Sequence, residues 1–153
     1  MQMRGPYQPQ VRTTLPITPE ESGLKILMVD PDLASAERLA AALRPRHVVA
    51  VVGSARAALT AIQVSVPQLI VTELDLPDAN GVELVARWHA DPPTRHTLLM
   101  IVTRRRSVLD KIAGLQAGAD DYLVKAVDPQ LFAMHVQSVS RFRKMLPSAP
   151  RYR

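Results

Sequence analysis

The sequence predicts an α/β fold: a doubly wound sandwich in which a five-stranded parallel sheet carries helices on both faces. Five short apolar runs alternate with five stretches of helical periodicity, so that each strand is followed by a helix. The runs are continuously apolar rather than alternating, which is typical of a parallel sheet covered on both faces. Because parallel crossovers are right-handed, this alternation leaves few other topologies.

The five strand–helix units follow one another without interruption. The predicted strands are residues 26–29, 48–52, 69–71, 98–102 and 122–124. The first predicted helix ends at residue 43, and the other four span residues 54–64, 81–90, 107–117 and 129–145. Local signals support the helix ends. Pro31 suits a first helical turn, Ser54 and Asp128 suit N-caps, and Gly118 suits the end of the fourth helix.

Length and composition indicate one domain. A chain of 153 residues with 47% hydrophobic residues can bury one sizeable core. We expect this domain at residues 24–146, between a flexible Pro-rich leader at 1–23 and a basic C-terminal tail at 147–153. The absence of cysteine excludes disulfides and thiolate metal sites, and no apolar run approaches the ~18 residues that cross a bilayer. We therefore expect a cytoplasmic protein without membrane contact.

The net charge of +5 is confined to one end of the chain. Residues 24–140 contain twelve Lys or Arg and twelve Asp or Glu, whereas residues 141–153 contain five Lys or Arg and no acid. A short basic terminus is usually a solvated segment. Nucleic acid is therefore not the expected partner, although binding of nucleic acid or of an acidic partner by this end remains an alternative.

Four polar residues stand at or just after the ends of predicted strands: Asp30, Glu73, Thr103 and Lys125. The carboxyl ends of the strands form the edge at which open α/β sheets bind ligands. If the four side chains converge there, they form a site for an anionic ligand or a phosphoryl group. The alternative is that polar residues simply terminate strands at the surface.

Three stretches, "KILMVDPD", "PQLIVTELDLPDANGVEL" and "GADDYLVKAVDP", resemble the receiver domain of bacterial response regulators, the CheY-like family, over residues 25–146. The resemblance implies the (βα)5 flavodoxin-like sandwich. It also implies an Asp after the third strand that accepts a phosphoryl group from a histidine kinase, with Mg²⁺ held by acids after the first strand. A Thr or Ser and a Lys after the fourth and fifth strands would bind the phosphoryl oxygens.

The residue aligned with the phosphoacceptor is Glu73, four residues before Pro77, whereas Asp75 falls within the following loop. Glutamate carries its carboxylate one bond further out, a shift of roughly 1.5 Å. A displacement of about 1 Å can cost on the order of a hundredfold in rate when the attack must be in line. We therefore expect Glu73 to be a poor phosphoacceptor.

The metal site departs from the family as well. Pro31 stands where the resemblance implies a second acid, and it has no ligand atom to offer. Asp32 could substitute, but if residues 31 and 32 are helical its side chain points about 100° away from position 31. Any Mg²⁺ would be held by Asp30, Asp32 and Glu73, and we expect that binding to be weak or absent, so that no cofactor is predicted.

Two further positions differ at the same edge. Arg104 follows Thr103 and begins the run Arg104-Arg105-Arg106. This run either is a solvated loop, or one of its arginines enters the crevice and pairs with Glu73 or Asp30, and both arrangements narrow the access of a phosphodonor. Ala126 replaces the Pro that commonly follows the family's lysine. A cis bond before Ala costs ~3–4 kcal/mol, so we expect a trans bond. Lys125 is expected to bridge Glu73 and Asp30 permanently.

The resemblance implies docking through the fourth helix, fifth strand and fifth helix. Here that face includes Lys111, Leu115, Tyr122 and the last helix. Most of its apolar residues are expected in the core: Val108, Ile112 and Leu115 of the fourth helical pattern, and Phe132, Val136, Val139, Phe142 and Leu146 of the last one. The expected partner is a signalling protein, either a histidine kinase or an output protein. A homodimer through this face is left open.

These observations predict a receiver-like signalling module of a two-component-type pathway that acts by protein–protein docking, is not phosphorylated and is not an enzyme. One alternative is a conventional response regulator that is phosphorylated on Glu73 or Asp75, with Mg²⁺ on Asp30 and Asp32. The other is a module that binds nucleic acid or an acidic partner through its basic end.

Overall fold

The computed structural model describes residues 23–145, with side chains described through residue 141. Almost all of the predicted leader and the whole of the predicted tail lie outside the described residues. The apolar residues Phe142 and Leu146 of the last helical pattern are likewise outside the described side chains.

Five strands and five helices alternate along the described chain. They are β1 (Lys25–Val29), α1 (Leu33–Leu43), β2 (Val48–Val52), α2 (Ala55–Val64), β3 (Leu69–Thr72), α3 (Gly81–Ala90), β4 (Leu98–Thr103), α4 (Val108–Ala117), β5 (Asp121–Val124) and α5 (Pro129–Met145). All four strand pairings are parallel, and the order in the sheet is β2-β1-β3-β4-β5. The predicted α/β class, strand number and parallel sheet are confirmed.

The core forms two layers, one on each face of the sheet. Successive strand residues point to opposite faces, so Ile26 and Met28 pack with α1 and α5, whereas Leu27 and Val29 pack with residues of α2 and α3. Phe132 of α5 is fully buried in the first layer. This division explains why the inner strands carry apolar residues on both faces, with polar residues only at their ends: Lys25, Thr72 and Thr103.

The edge strand β2 is an exception to the predicted cover on both faces. Its run of five apolar residues alternates between exposed and partly exposed positions, and Val48 is 73% exposed. β2 pairs only with β1, so it lies at the edge of the sheet. The apolar run alone does not distinguish such an edge strand from an inner one.

Three of the predicted helix-end signals are confirmed. The Ser54 side chain accepts a hydrogen bond from the Ala57 N–H, and Asp128 accepts one from Gln130. Gly118 ends α4 with a positive φ of 121°.

The prediction that Pro31 lies in the first turn of α1 was wrong. Helix α1 begins at Leu33, with Asp32 as its N-cap, so Pro31 precedes the cap and is not in the first turn. The carboxylate of Asp32 accepts a hydrogen bond from the Ser35 N–H at 3.1 Å. A cap of this kind satisfies one of the free N–H groups at a helix start, which fixes the boundary.

Gly81 allows α3 to begin directly against the end of β3. A Cβ atom at this position would lie 2.4 Å from Leu74 Cα and 2.9 Å from the Glu73 carbonyl oxygen. The Gly81 N–H instead donates to the Leu74 carbonyl at 3.0 Å. The glycine therefore sets the position of the backbone that carries Glu73.

Within residues 23–145, no helix combines the length and apolar character that crossing a membrane requires.

Candidate functional site

Four strand ends bring the polar residues of the site together. Asp30, Glu73 and Lys125 each follow the last residue of a strand, and Thr103 is the last residue of β4. Backbone hydrogen bonds extend the ladder past the strand ends: the Glu73 N–H donates to Val29 at 2.9 Å, and the Lys125 N–H donates to Thr103 at 2.8 Å. The predicted convergence of these four residues is present in the structure.

Asp30, Glu73 and Lys125 form an ionic group that we call the acid–lysine cluster. Lys125 Nζ lies 2.7 Å from Asp30 Oδ2 and 3.0 Å from Glu73 Oε2. The three side chains are between 7% and 11% exposed. Charges shielded to this extent from water interact strongly, so the contact is of a different kind from a surface ion pair.

The second carboxylate oxygen of Glu73 is occupied as well. Glu73 Oε1 accepts hydrogen bonds from the backbone N–H of Leu74 at 2.8 Å and of Asp75 at 3.3 Å, and also from the Thr103 hydroxyl. Together with Lys125, these donors occupy both oxygens of the buried carboxylate. Glu73 is therefore held by its surroundings rather than left free for attack on a phosphodonor.

Asp30 is held in a similar way, and Asp32 is not part of the cluster. Asp30 Oδ1 accepts a hydrogen bond from the Asp32 N–H at 2.9 Å, while Oδ2 faces Lys125. The Asp32 carboxylate is exposed and caps α1. The two acids after β1 thus have separate structural roles.

The electrostatic balance at Lys125 favours its charged form. Burial alone would lower the pKa of the ammonium group, but hydrogen bonds and charge attraction from Asp30 and Glu73 outweigh burial, and the pKa is raised. A raised pKa means that the stabilisation is present below the ordinary value of 10.5 and is lost as the pH rises through the raised value. The cluster is therefore intact at neutral pH.

The donor set at this edge does not suit Mg²⁺. Mg²⁺ requires near-octahedral oxygen coordination, with carboxylates that compete against water. The Pro31 side chain offers no oxygen donor, the Asp32 carboxylate accepts a hydrogen bond at the helix cap, and an ammonium group lies between Asp30 and Glu73. In the described part of the chain, no three His, Cys, Asp or Glu side chains are grouped so that they could hold a metal ion.

The prediction of a trans bond between Lys125 and Ala126 was wrong, because this peptide bond is cis. The backbone N–H of Lys125 is bonded to Thr103, and its side chain is held by two carboxylates. These contacts fix the chain on the N-terminal side of the bond.

The arginine that contacts an acid of the β3–α3 loop is Arg105, not Arg104. Arg105 Nε donates to Asp75 Oδ1 at 3.0 Å, and its Nη1 lies 3.6 Å from Asp110 Oδ1. The hydrogen bonds between Arg105 and Asp75 lower the pKa of Asp75 and raise the pKa of Arg105. Arg104 is exposed, and in the described part of the chain no ion pair joins it to Asp30 or Glu73.

Tyr122, on the predicted docking face, is a buried residue. It is 5% exposed, and its hydroxyl donates to the Arg105 carbonyl at 2.7 Å. The side chain therefore ties β5 to the loop that follows β4. Lys111 and Leu115 are exposed on α4, as a docking role requires.

The apolar residues of α4 are not in the core, contrary to the expectation. Val108 and Ile112 are 71% and 44% exposed, and Leu115 is 41% exposed. Gly114 is the buried residue of this helix, and a Cβ there would lie 2.6 Å from Ile101 Cδ1. Because α4 approaches the sheet through a glycine, its larger side chains lie away from the core.

Asp78 has a role that the sequence did not indicate. Its two carboxylate oxygens accept hydrogen bonds, each 2.9 Å long, from the backbone N–H groups of Ala55 and Arg56 at the start of α2. These bonds lower the pKa of Asp78. An acid that caps a helix from 22 or 23 residues away leaves no short-range signal in the sequence.

Comparison with known proteins gives a consistent result. The family model described as "Response regulator receiver domain" matches residues 26–137. The DNA-binding response regulator MtrA of Mycolicibacterium paratuberculosis is 33% identical over 115 residues, which are 74% of this chain and 50% of MtrA. The response regulator PleD of Caulobacter vibrioides is 28% identical over 123 residues, which are 80% of this chain and 27% of PleD.

A solved structure shows the same architecture. The CheY-like response regulator receiver domain protein of Methanospirillum hungatei superposes with a TM-score of 0.73 and is 27% identical; the match covers 80% of this chain and 98% of that one. The match thus covers nearly the whole of that solved chain, whereas this chain spans about half the length of MtrA.

Proposed function

We propose that this chain, which belongs to the family of response regulator receiver domains, transmits a signal by docking on another protein and is not itself phosphorylated. Receiver domains are signalling modules of two-component pathways and interact with kinases and output domains. The finer assignment, a receiver that works without phosphorylation, rests on one observation: Lys125 bridges Asp30 and Glu73 in a buried cluster.

The first support is the position of Glu73. In a phosphorylated receiver, the acceptor must reach the phosphodonor in line, and small displacements are costly. Here both oxygens of the Glu73 carboxylate are engaged, by Lys125, by Thr103 and by two backbone N–H groups. A carboxylate anchored in this way already occupies the lysine and the hydroxyl that would otherwise bind phosphoryl oxygens.

The second support is the chemistry after β1. We propose that the chain has no functional Mg²⁺ site, because the side chain of Pro31 has no oxygen donor and Asp32 caps α1. Without an ion to neutralise the phosphoryl oxygens, phosphoryl transfer at this edge would lack a required partner. We propose no enzymatic activity for the domain.

The test is incubation of the full chain with acetyl phosphate and Mg²⁺, followed by intact-mass measurement, with a receiver that has the usual acceptor Asp as a positive control. We expect the control to gain one phosphoryl group and this chain to gain none. A gain that peptide mapping assigns to Glu73 would overturn the proposal. A gain assigned to Asp75, which is exposed but paired with Arg105, would instead establish a conventional receiver with a shifted acceptor.

We propose that docking uses the exposed apolar side of α4. Val108, Leu109, Ile112 and Leu115 are between 41% and 79% exposed. Ile112 lies four residues after Val108 and three residues from both Leu109 and Leu115, which places the four side chains along one side of the helix. Apolar side chains clustered in this way are a mark of an interaction surface. Lys111 lies among them and adds a charge at the border of the surface.

A protein partner fits the charge of the domain better than nucleic acid does. Residues 24–140 carry equal numbers of acidic and basic side chains, and DNA binding is stated in the name of MtrA, of which this chain spans half. We propose a receiver at residues 24–146 with short flanking segments at 1–23 and 147–153.

A further inference from the structure

A cavity of about 390 Å³ opens beside the acid–lysine cluster. Three segments that are distant in sequence form it: α1, the loop between β4 and α4, and the loop between β5 and α5. Its lining includes Ser35, Arg38, Arg104, Arg106, Ala126 and Val127. Asp30, Glu73 and Thr103 do not line it, so this cavity is separate from the position of a phosphoryl group on the acceptor residue.

The cavity is strongly basic because two of the three consecutive arginines after β4 line it, together with an arginine of α1. Arg105 is directed to Asp75 and Asp110, whereas Arg104 and Arg106 line the cavity. Arg38 of α1 joins them from the facing segment. Within residues 23–141, no ion pair engages these three lining guanidinium groups, so their charge is not neutralised by the protein.

Lys125 also lines the cavity, but its charge is directed elsewhere. Its ammonium group lies between Asp30 and Glu73, both within 3.0 Å. One ammonium and two carboxylates leave the cluster with a single net negative charge, which is smaller than the three positive charges of the lining arginines. The lining of the cavity thus includes three arginines and no acid.

The type of side chain indicates the type of ligand. A guanidinium group presents a planar fork of N–H donors that matches the oxygens of a phosphate group, often in pairs. The remaining lining includes the Ser35 hydroxyl, a further donor or acceptor, and an apolar wall of Leu39, Ala126 and Val127. The volume lies within the range of roughly 300–1,000 Å³ found for small-molecule sites.

We propose that this cavity binds a small organic molecule carrying phosphate groups, with the phosphates on Arg38, Arg104 and Arg106 and the organic part against the apolar wall. Such a ligand would join α1 to the loops after β4 and β5, which also carry the residues of the acid–lysine cluster. Binding of such a ligand goes beyond the proposed function, because it does not depend on whether the chain is phosphorylated.

The first experiment is a titration of the full chain with inorganic pyrophosphate at constant ionic strength, followed by amide chemical shifts. Pyrophosphate supplies the phosphate chemistry without the organic part. We expect saturable shifts at residues 35, 38, 104, 106, 126 and 127. Non-saturable shifts, or saturable shifts elsewhere on the chain, would overturn the proposal.

Two double variants distinguish a specific binding site from general electrostatic attraction between pyrophosphate and the basic residues of the chain. Arg104→Ala combined with Arg106→Ala should raise the dissociation constant at least about tenfold, since charge-assisted hydrogen bonds are lost. The matched control, Arg56→Ala combined with Arg87→Ala, removes the same two charges from exposed positions on α2 and α3 and should raise it less than about twofold. Equal losses in the two variants would contradict the proposal.

Circular dichroism of both paired variants provides a check on folding. All four arginines are exposed, so we expect unchanged spectra. A polyglutamate peptide, titrated in parallel, distinguishes a small-molecule cavity from a surface for acidic protein segments. Saturable shifts at the lining residues with the peptide but not with pyrophosphate would overturn the proposal in favour of a protein surface.

Discussion

One methylene group changes the chemistry of the strand-end residues. The carboxylate of Glu73 extends one bond, about 1.5 Å, beyond the reach of an aspartate. From there it bonds to Lys125 and to Thr103, the two residues that the family uses for phosphoryl oxygens. A fixed carboxylate thus takes the contacts that a transient phosphoryl group would make.

The acid–lysine cluster should be essential for stability because its charges are buried. In Lys125→Met, Asp30 and Glu73 would face each other without a cation, and removing one partner of a buried pair typically costs about 3–5 kcal/mol. We expect a loss of roughly 3 kcal/mol in the free energy of unfolding, measured by urea denaturation.

The matched control for this variant is Arg44→Met, which removes a cation from an ion pair with Glu37 at the surface. Exposed pairs contribute little because water screens them, so the control should unfold at nearly the wild-type urea concentration. Similar losses of unfolding free energy in Lys125→Met and Arg44→Met would show that the buried cluster contributes no more to stability than a surface ion pair does.

The positions of individual side chains were predicted correctly where they depend on the ends of strands. They were predicted wrongly where they depend on the path of a loop. Asp30, Glu73, Thr103 and Lys125 come together because parallel strands end at one edge, which the apolar runs already indicate. Arg105, rather than Arg104, contacts an acid because the path of the β4–α4 loop directs alternate arginines to different sides. The sequence "RRR" carries no information about that path.

Among the elements, the start of α1 shows how capping and metal binding compete for one carboxylate. Asp32 is the N-cap, and its side chain accepts a hydrogen bond from Ser35. The residue that could have supplied a second metal ligand is thereby committed to helix structure.

Asp32→Ala should destabilise the domain by about 1 kcal/mol, the usual cost of losing an N-cap side chain. Asp32→Ser, which keeps a capping oxygen but no carboxylate, should recover most of this loss in urea denaturation. If Asp32→Ser were as unstable as Asp32→Ala, the charge of Asp32 and not its cap would be the important property.

The positions of the strands and helices in the sequence were predicted closely, but the solvent exposure of their apolar residues was not. No end of a predicted strand differs from the observed end by more than one residue, since apolar runs and caps mark these boundaries locally. Exposure of β2 and of α4 depends instead on neighbours. β2 has a partner on one side only, and α4 meets the sheet through Gly114.

For the whole molecule, one partly buried histidine, His47, should make the free energy of unfolding depend on pH. His47 Nδ1 accepts a hydrogen bond from the Leu24 N–H at 2.8 Å, which joins the start of β1 to the residue before β2. An accepting Nδ1 must be unprotonated. Burial, together with the charge of Arg46, lowers the pKa of His47 below its ordinary value of 6.5.

The free energy of unfolding should therefore decrease as the pH falls below about 6.5, because the unfolded chain then binds a proton that the folded His47 does not. The decrease should continue until the pH passes through the lowered pKa. We expect lower stability at about pH 5.5 than at about pH 7.5 in urea denaturation.

His47→Asn is the control, since its amide oxygen can accept a hydrogen bond but does not titrate in this range. The other titrating groups are common to both chains, so the difference between their pH profiles isolates His47. Glu37, Asp75 and Asp78 have lowered pKa values, and their stabilisation is lost only at more acidic pH. Identical profiles for the two chains would contradict this assignment.

The overall topology was predictable because each strand–helix unit is encoded locally and right-handed crossovers limit how units combine. The basic cavity was not, because Arg38, Arg104 and Val127 meet only after three segments pack together. The same holds for the cap that Asp78 provides to α2.

The most direct test of the central claim, a fixed acid–lysine cluster in place of a metal-dependent site, is a Mg²⁺ titration followed by the amide chemical shifts of residues 30, 73 and 74. The double variant Pro31→Asp with Glu73→Asp, which supplies the missing carboxylate and the shorter acid, serves as the comparison. We predict no saturable shifts at these amides in the wild-type chain and saturable shifts in the variant. Saturable Mg²⁺-dependent shifts at residues 30 and 73 of the wild-type chain would contradict the account.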